Sequence, residues 1–259
     1  MPASSIRLDI QGACARITFD RPKALNAIDG AGAHAFHDAI TRIANTPQVR
    51  AVMLRGAGRA FMAGGDVSAI RAAPDAIGPD LIDPLHAALS ALARLPVPVL
   101  ACAHGAVAGA GLSILLAADL AIAADDARFD LAYARIGASP DASATWHLPR
   151  IVGLRKAMEL ALLCEPLDAR QALQLSLVNR IVPAAELQTQ ADALLQQLAD
   201  GPTDALGRTK ALLRASLSRS LEGQLDAERA AFLAGVKTHD LHEGLDAFLE
   251  KRSPVFNGH

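Results

Sequence analysis

Two glycine-rich stretches and one isolated carboxylate hold most of the chemical potential of this sequence. The first stretch, "FMAGGDVSAI" (residues 61–70), sets Gly64 and Gly65 after Ala63. Glycine admits positive φ, and alanine leaves room beside the main chain. Such a loop can offer a bare backbone N–H to a ligand oxygen. It also reads as an ordinary strand-to-helix turn in which Asp66 caps the next helix. The second stretch, "HGAVAGAGLSILL" (residues 104–116), is rich in small residues. A helix beginning near Gly111 would aim its unpaired N–H groups and positive dipole end at whatever sits there. That arrangement suits a developing oxyanion, although tight packing of a buried helix gives the same composition. Neither nucleotide motif fits. Ile114 stands where a dinucleotide fingerprint needs a third small residue, and no GK[ST] occurs.

The carboxylate is Asp141, in "IGASPDASATWHLPR" (residues 136–150), with no acidic neighbour close by. Ser139-Pro140-Asp141 fits a helix start, with Ser as N-cap, Pro at the first position and an acid in the first turn. A general acid/base is the other reading. The two are compatible, because a first-turn carboxylate can still point into a pocket. His86 falls on an amphipathic helical stretch and reads as a surface or packed residue. His104 and His147 read as structural.

These groups need a scaffold. "SIRLDI" and "ACARITFD" alternate as two strands around a Gln11-Gly12 turn. Asp29 precedes a helical pattern to about Asn45, with Phe36, Ile40 and Ile43 on one side. "RAVMLRG" is a buried strand ending at Gly56, followed by a loop of small residues. A helix spans roughly Asp80 to Leu95. Then come the strand "VPVLAC", a glycine-rich turn, a buried helix, and the strands "DLAIAA" and "ARFDLA". Strands alternating with helices define an α/β fold. Beyond Pro183 the pattern is helical, so an α/β core over residues 1–200 and a helical region over residues 201–259 are expected.

Composition narrows the classes. The formal net charge is −2, with no long basic run, which argues against nucleic acid as a partner. Cys14, Cys102 and Cys164 are far apart, odd in number and lack CxxC spacing. No disulfide framework and no metal site are expected, and a cytoplasmic location fits. The N-terminal "MPASSIRLDI" shows no charged-then-apolar signal pattern. Residues 96–118 carry no Asp, Glu, Lys or Arg and are long enough for a membrane span. Two prolines, three glycines and the closing Asp119 point instead to a strand, a turn and a buried helix.

Taken together and in order, the motifs resemble the crotonase family, the enoyl-CoA hydratases and isomerases. "ITFDRPKALNAI" is similar to the family's early strand and CoA-contacting turn, and "RAVMLRGAGRAFMAGGDVSAI" to its first oxyanion segment. "VPVLACAHGAVAGAGLSILLAADLAIA" resembles the second. "FDLAYARIGASPD", "LPRIVGLRKAMELAL", "LDARQALQLSLVNRIVP" and "FLEKRSPVF" follow in the family's order. The resemblance implies a spiral of ββα units with a C-terminal helical trimerisation region, assembled as a homotrimer or a dimer of trimers. It implies an acyl-CoA thioester as substrate, with coenzyme A as part of that substrate and no separate cofactor. By position, the Ala63 and Ala110 N–H groups form the oxyanion hole, where each donor typically lowers the barrier by about 3 kcal/mol. CoA lies against Lys23, Ala24 and Leu25 and the turn of Ala63, Gly64, Gly65 and Asp66. Ile70, Gly109 and Tyr133 are further candidates for contact with the substrate or its CoA, with core packing the other reading of Tyr133. Phe248 and Lys251 match residues that reach a neighbouring subunit's CoA, and read equally as the end of an amphipathic helix with a solvated lysine.

The sequence departs from the family's hydratases at two places. Their two glutamates are replaced by Ser113 and Tyr133, and neither can activate water as a carboxylate does. The stretch around Asp141 resembles the epoxyphenylacetyl-CoA isomerases and related enoyl-CoA isomerases, where this Asp is the acid/base. It also resembles chlorobenzoyl-CoA dehalogenases, in which the Asp is a nucleophile and a residue placed like His86 activates water. An enoyl-CoA isomerase using Asp141 is therefore expected. Hydratase or dehalogenase-like hydrolysis, or a non-catalytic acyl-CoA-binding protein, are the alternatives.

Overall fold

The computed structural model describes residues 5–259, so the part of the signal-pattern reading that rests on residues 1–4 lies outside the described residues. The chain begins with a hairpin, β1 (Ile6–Gln11) and β2 (Cys14–Phe19), in which Gln11 pairs with Cys14. The turn is therefore Gly12-Ala13, one residue later than expected. Helix α1 (Gly30–Ala44) starts where Asp29 accepts the Gly32 N–H, and buries Phe36, Ile40 and Ile43 as its periodicity predicts. Phe36 meets Phe19 at 5.3 Å between ring centroids, and Phe19 meets Phe61 at 5.8 Å.

A repeat follows. The first unit is β3 (Ala51–Gly56), β4 (Ala60–Met62) and two helices, α2 (Val67–Ala72) and α3 (Asp83–Arg94). The second is β5 (Val99–Ala103), β6 (Ala106–Ala108) and α4 (Ala110–Ala117). The third is β7 (Leu120–Ala124), β8 (Arg128–Asp130), α5 (Ala144–Val152) and α6 (Leu154–Leu163). A shorter turn adds β9 (Leu167–Asp168), α7 (Ala169–Gln174), β10 (Arg180–Val182) and α8 (Leu187–Ala199). The first strand of each of these three units joins a six-stranded sheet in the order β1-β2-β3-β5-β7-β10, and the second joins a four-stranded sheet in the order β4-β6-β8-β9; in the last, shorter turn β9 joins the smaller sheet and β10 the larger. Neighbours are parallel from β2 onward in the first sheet, and from β4 to β8 in the second. This is the expected spiral of ββα units.

Strands β4 and β6 lie inside what read as loops. At three residues each, they are too short to display alternation. Helix α4 is apolar on every side and wholly buried, which explains why its stretch passed for a possible membrane span. It has eight residues, and a span needs about 20. No helix among the described residues is long and apolar enough to cross a membrane.

The larger core lies between the sheets and α1, α3 and α4. A second layer packs Leu187, Ala191, Leu194 and Leu195 of α8 on the outer face of the six-stranded sheet, against Met53, Leu100 and Ile122. Cys102 lies in this layer, and burial pushes its thiol up to about 12. Beyond it run α9 (Thr203–Ser216), α10 (Leu221–Gly235) and α11 (His239–Glu250). Charged anchors tie them down. Asp119 pairs with Lys210 at 2.8 Å and Arg214 at 2.7 Å, and Arg50 donates to Thr203 Oγ1 at 2.8 Å and to the Gly201 and Phe256 carbonyls. An apolar cavity of about 770 Å³ lies among these helices, lined by Leu212, Leu225, Phe232 and Leu245.

Candidate active site

The candidate side chains and N–H groups follow the carboxyl ends of β4, β6 and β8, three adjacent parallel strands. Open α/β sheets bind ligands at such ends. After β4, the Ala63 N–H donates to the Leu25 carbonyl at 3.0 Å. The expectation that Ala63 supplies an oxyanion donor is therefore corrected, because that N–H is already used. The next residues show which donor is free. The Gly64 carbonyl accepts from Ile28 N at 2.9 Å, and the Asp66 N–H donates to the Ile28 carbonyl at 2.8 Å. With both flanking groups turned toward Ile28, the intervening Gly65 N–H points the other way. It has no protein partner among the described residues.

The second donor is the Ala110 N–H. Ala110 is the first residue of α4, so its N–H has no partner within the helix. Gly109 before it has φ of +52° and ψ of −122°, backbone angles open to glycine. The two segments touch: a Cβ on Gly109 would stand 3.4 Å from Gly64 Cα, and one on Gly64 would stand 3.7 Å from Ala110 N.

A polar frame fixes the first segment. Arg21 reaches Asp29 Oδ2 at 3.1 Å, Asp66 Oδ2 at 2.9 Å and the Ala27 carbonyl at 2.6 Å. Burial alone would raise the Asp66 carboxyl. The Arg21 hydrogen bond and the Ala69 and Ser68 N–H groups outweigh it and hold the carboxyl below its ordinary value. Asn26 is buried at 2% exposure, accepts the Arg21 N–H and donates to the Ala57 and Ala60 carbonyls. The sequence reading singled out neither Arg21 nor Asn26. Leu25 and Asn26 are both left-handed, at φ of 50° and 59°, after the short turn Pro22–Ala24 that exposes Lys23. Ile70 adjoins Gly65, with Cδ1 3.4 Å from where a Gly65 Cβ would be.

Asp141 does not sit in a helix. Helix α5 begins at Ala144, and its N-cap is Ser143 at φ of +70°. The expected start at Ser139-Pro140-Asp141 is corrected: Pro140 favours an extended residue before it, and the left-handed Ser143 separates the stretch from the helix. The carboxylate is thus free of capping. Its Oδ1 accepts the Tyr133 hydroxyl at 2.8 Å, and that hydroxyl lies 3.4 Å from Ser113 Oγ. Ser113 Oγ lies 3.2 Å from the Gly109 carbonyl, and its one proton serves either that carbonyl or Tyr133. Burial, then the Asp141 charge, pushes the Tyr133 phenol above its ordinary value.

His86 meets the main-chain carbonyl of Asp141, not its carboxylate, so its Nε2 carries the donated proton. His104 donates to the Gly58 carbonyl at 2.8 Å. Phe248, 82% exposed, and Lys251 stand at the C-terminal end of α11. No hydrogen bond or ion pair among the described residues joins either side chain to the segments around Gly65, Ala110 or Asp141.

The site is thus two free backbone donors and one carboxylate, set after neighbouring strands of a spiral of ββα units. The sequence model of the enoyl-CoA hydratase/isomerase family matches residues 9–259. The chain belongs to that family. It is 40% identical over 260 residues to a "probable enoyl-CoA hydratase" of Rhodobacter capsulatus, covering 100% of both chains. It is 35% identical to the 1,2-epoxyphenylacetyl-CoA isomerase of Escherichia coli K12, over 93% of this chain and 94% of that one. A crystal structure of an enoyl-CoA hydratase from Polaromonas sp. JS666 superposes with a TM-score of 0.93 at 31% identity, over 97% of this chain and 99% of that one.

Proposed function

We propose that this protein is an enoyl-CoA isomerase. Asp141 removes the α-proton of a 3-enoyl thioester. The charge that develops on the thioester oxygen is held by the Gly65 and Ala110 N–H groups. The same carboxyl then returns the proton at the γ-carbon, giving the conjugated 2-enoyl product. Coenzyme A is the carrier portion of the substrate, laid along Lys23, Ala24 and Leu25.

One observation carries this reading. Asp141 is freed from the helix start, and side-chain contacts through Tyr133 and Ser113 lead from it to Gly109, next to the Ala110 donor. The 35% identity to an epoxyphenylacetyl-CoA isomerase supports it. The name of the R. capsulatus relative supports hydration instead. Against hydration, Ser113 and Tyr133 supply no second carboxylate to orient and deprotonate water. Dehalogenase-like hydrolysis loses support because His86 faces a carbonyl. Assembly as a homotrimer or a dimer of trimers is part of the same proposal. It would cover exposed apolar residues such as Phe232 (67%) and Leu249 (76%).

The test mixes the protein with 3-enoyl-CoA and follows the absorbance of the conjugated thioester. Asp141→Asn is expected to bind CoA thioester and lose turnover. Normal isomerisation by that variant, or rapid water addition to 2-enoyl-CoA by the wild type, would refute the reading.

A further inference from the structure

We infer that Tyr133 is a positioning residue for Asp141: its hydroxyl holds Oδ1, leaving Oδ2 as the one oxygen that takes and returns the substrate proton. The inference rests on the reading of Asp141 as the acid/base.

The geometry is specific. The Tyr133 hydroxyl lies 2.8 Å from Oδ1, and its single proton is committed there. Oδ2 has no hydrogen-bond partner among the described residues. On the far side of the hydroxyl stands Ser113, wholly buried on α4, 3.4 Å away. His86 holds the main-chain carbonyl of the same aspartate from α3. The carboxyl is therefore gripped at its backbone and at one oxygen. Rotation about the bond to the carboxyl group would exchange the two oxygens, and the phenol opposes it.

A phenol is suited to this task. It donates to Oδ1 when Asp141 is charged, and still donates when Oδ2 carries the proton. Burial and the adjacent negative charge keep it protonated, so it does not compete as a base. The step balances on two groups. The α C–H bond breaks as an O–H bond forms at Oδ2, and the electron pair passes to the thioester as an enolate. The Oδ2–H bond then breaks as a C–H bond forms at the γ-carbon. Oδ1 stays on Tyr133 throughout.

Tyr133→Phe removes the hydroxyl and keeps the ring. With 3-enoyl-CoA, kcat is expected to fall about 10- to 100-fold, the loss of a hydrogen bond to a charged group, while KM changes little. The split between kcat and KM is the signature of positioning, since a residue that only packs the site would move both. Ser113→Ala is expected to lower kcat the same way by less. Two results overturn the inference while Asp141→Asn remains inactive: wild-type kcat in Tyr133→Phe, or a fall in kcat matched by a rise in KM, which assigns Tyr133 to packing alone. An active Asp141→Asn overturns the reading of Asp141, and the inference with it.

Discussion

Arg21 Nη2 lies 2.9 Å from Oδ2 of Asp66, a residue 45 positions further along the chain. This contact joins the turn before α1 to the N-cap of α2, with the Gly65 donor directly before that cap. Arg21→Ala is therefore expected to disturb function and stability together. A destabilisation of about 1–2 kcal/mol is expected at neutral pH, since the hydrogen bonds are charge-assisted but partly exposed. The carboxyl of Asp66 is held below its ordinary value in the fold. Its contribution is fully present above the unfolded carboxyl value of about 4 and is lost as pH falls through the folded one. Denaturant unfolding of wild type and variant at pH 7 and pH 3 checks this. A gap that stays constant would contradict it.

Gly109 tests the donor geometry. Its φ of +52° and ψ of −122° are costly for any residue with a Cβ, whereas the space around it is ordinary. Gly109→Ala is expected to lose about 1–3 kcal/mol of stability and to lower kcat, because relief of the strain re-aims the Ala110 N–H. Gly12→Ala is the control. It has a similar φ of +57°, in the first hairpin, with nothing within 4 Å. It is expected to lose stability and retain kcat. Equal kcat in both variants would separate Gly109 from the chemistry.

His147 gives a pH signature unrelated to catalysis. Burial first, then the Arg214 and Arg150 charges, lowers it to about 4. The unfolded chain, with histidine near 6.5, binds the proton more readily. The stabilisation from a neutral His147 is thus complete above about 6.5 and is lost as pH falls toward 4, with a slope of at most about 1.4 kcal/mol per pH unit. His147→Gln is expected to flatten stability over that window in chemical denaturation. A variant curve parallel to the wild type would refute the assignment.

Some of this architecture was legible in the residues and some was not. Helix α1 was readable because Phe36, Ile40 and Ile43 recur at helical spacing behind a capping Asp29. The ordered motifs pointed to the spiral. The identity of the first donor was not readable, since it depends on which way the peptide planes turn around Gly64, at φ of +118°. Residue type permits such an angle without specifying it. Arg21 and Asn26 escaped notice because their key partners lie 31 to 45 positions away. Asp141 also read as a first-turn acid because Ser-Pro-Asp is a good helix start. The left-handed Ser143, which no local preference announces, moved the start to Ala144.

The stacking of β4, β6 and β8 makes the four-stranded sheet a ruler for the candidate site. Successive rungs of a sheet are about 4.8 Å apart. The chain leaves one polar group just past the end of each rung: the Gly65 N–H, the Ala110 N–H, and then the Tyr133 phenol. The repeat thus sets the spacing of these three groups. Residues inserted between α2 and α3 lie outside the three rungs and leave that spacing unchanged. A residue inserted within any of the three rungs would shift one mark of the ruler against the other two.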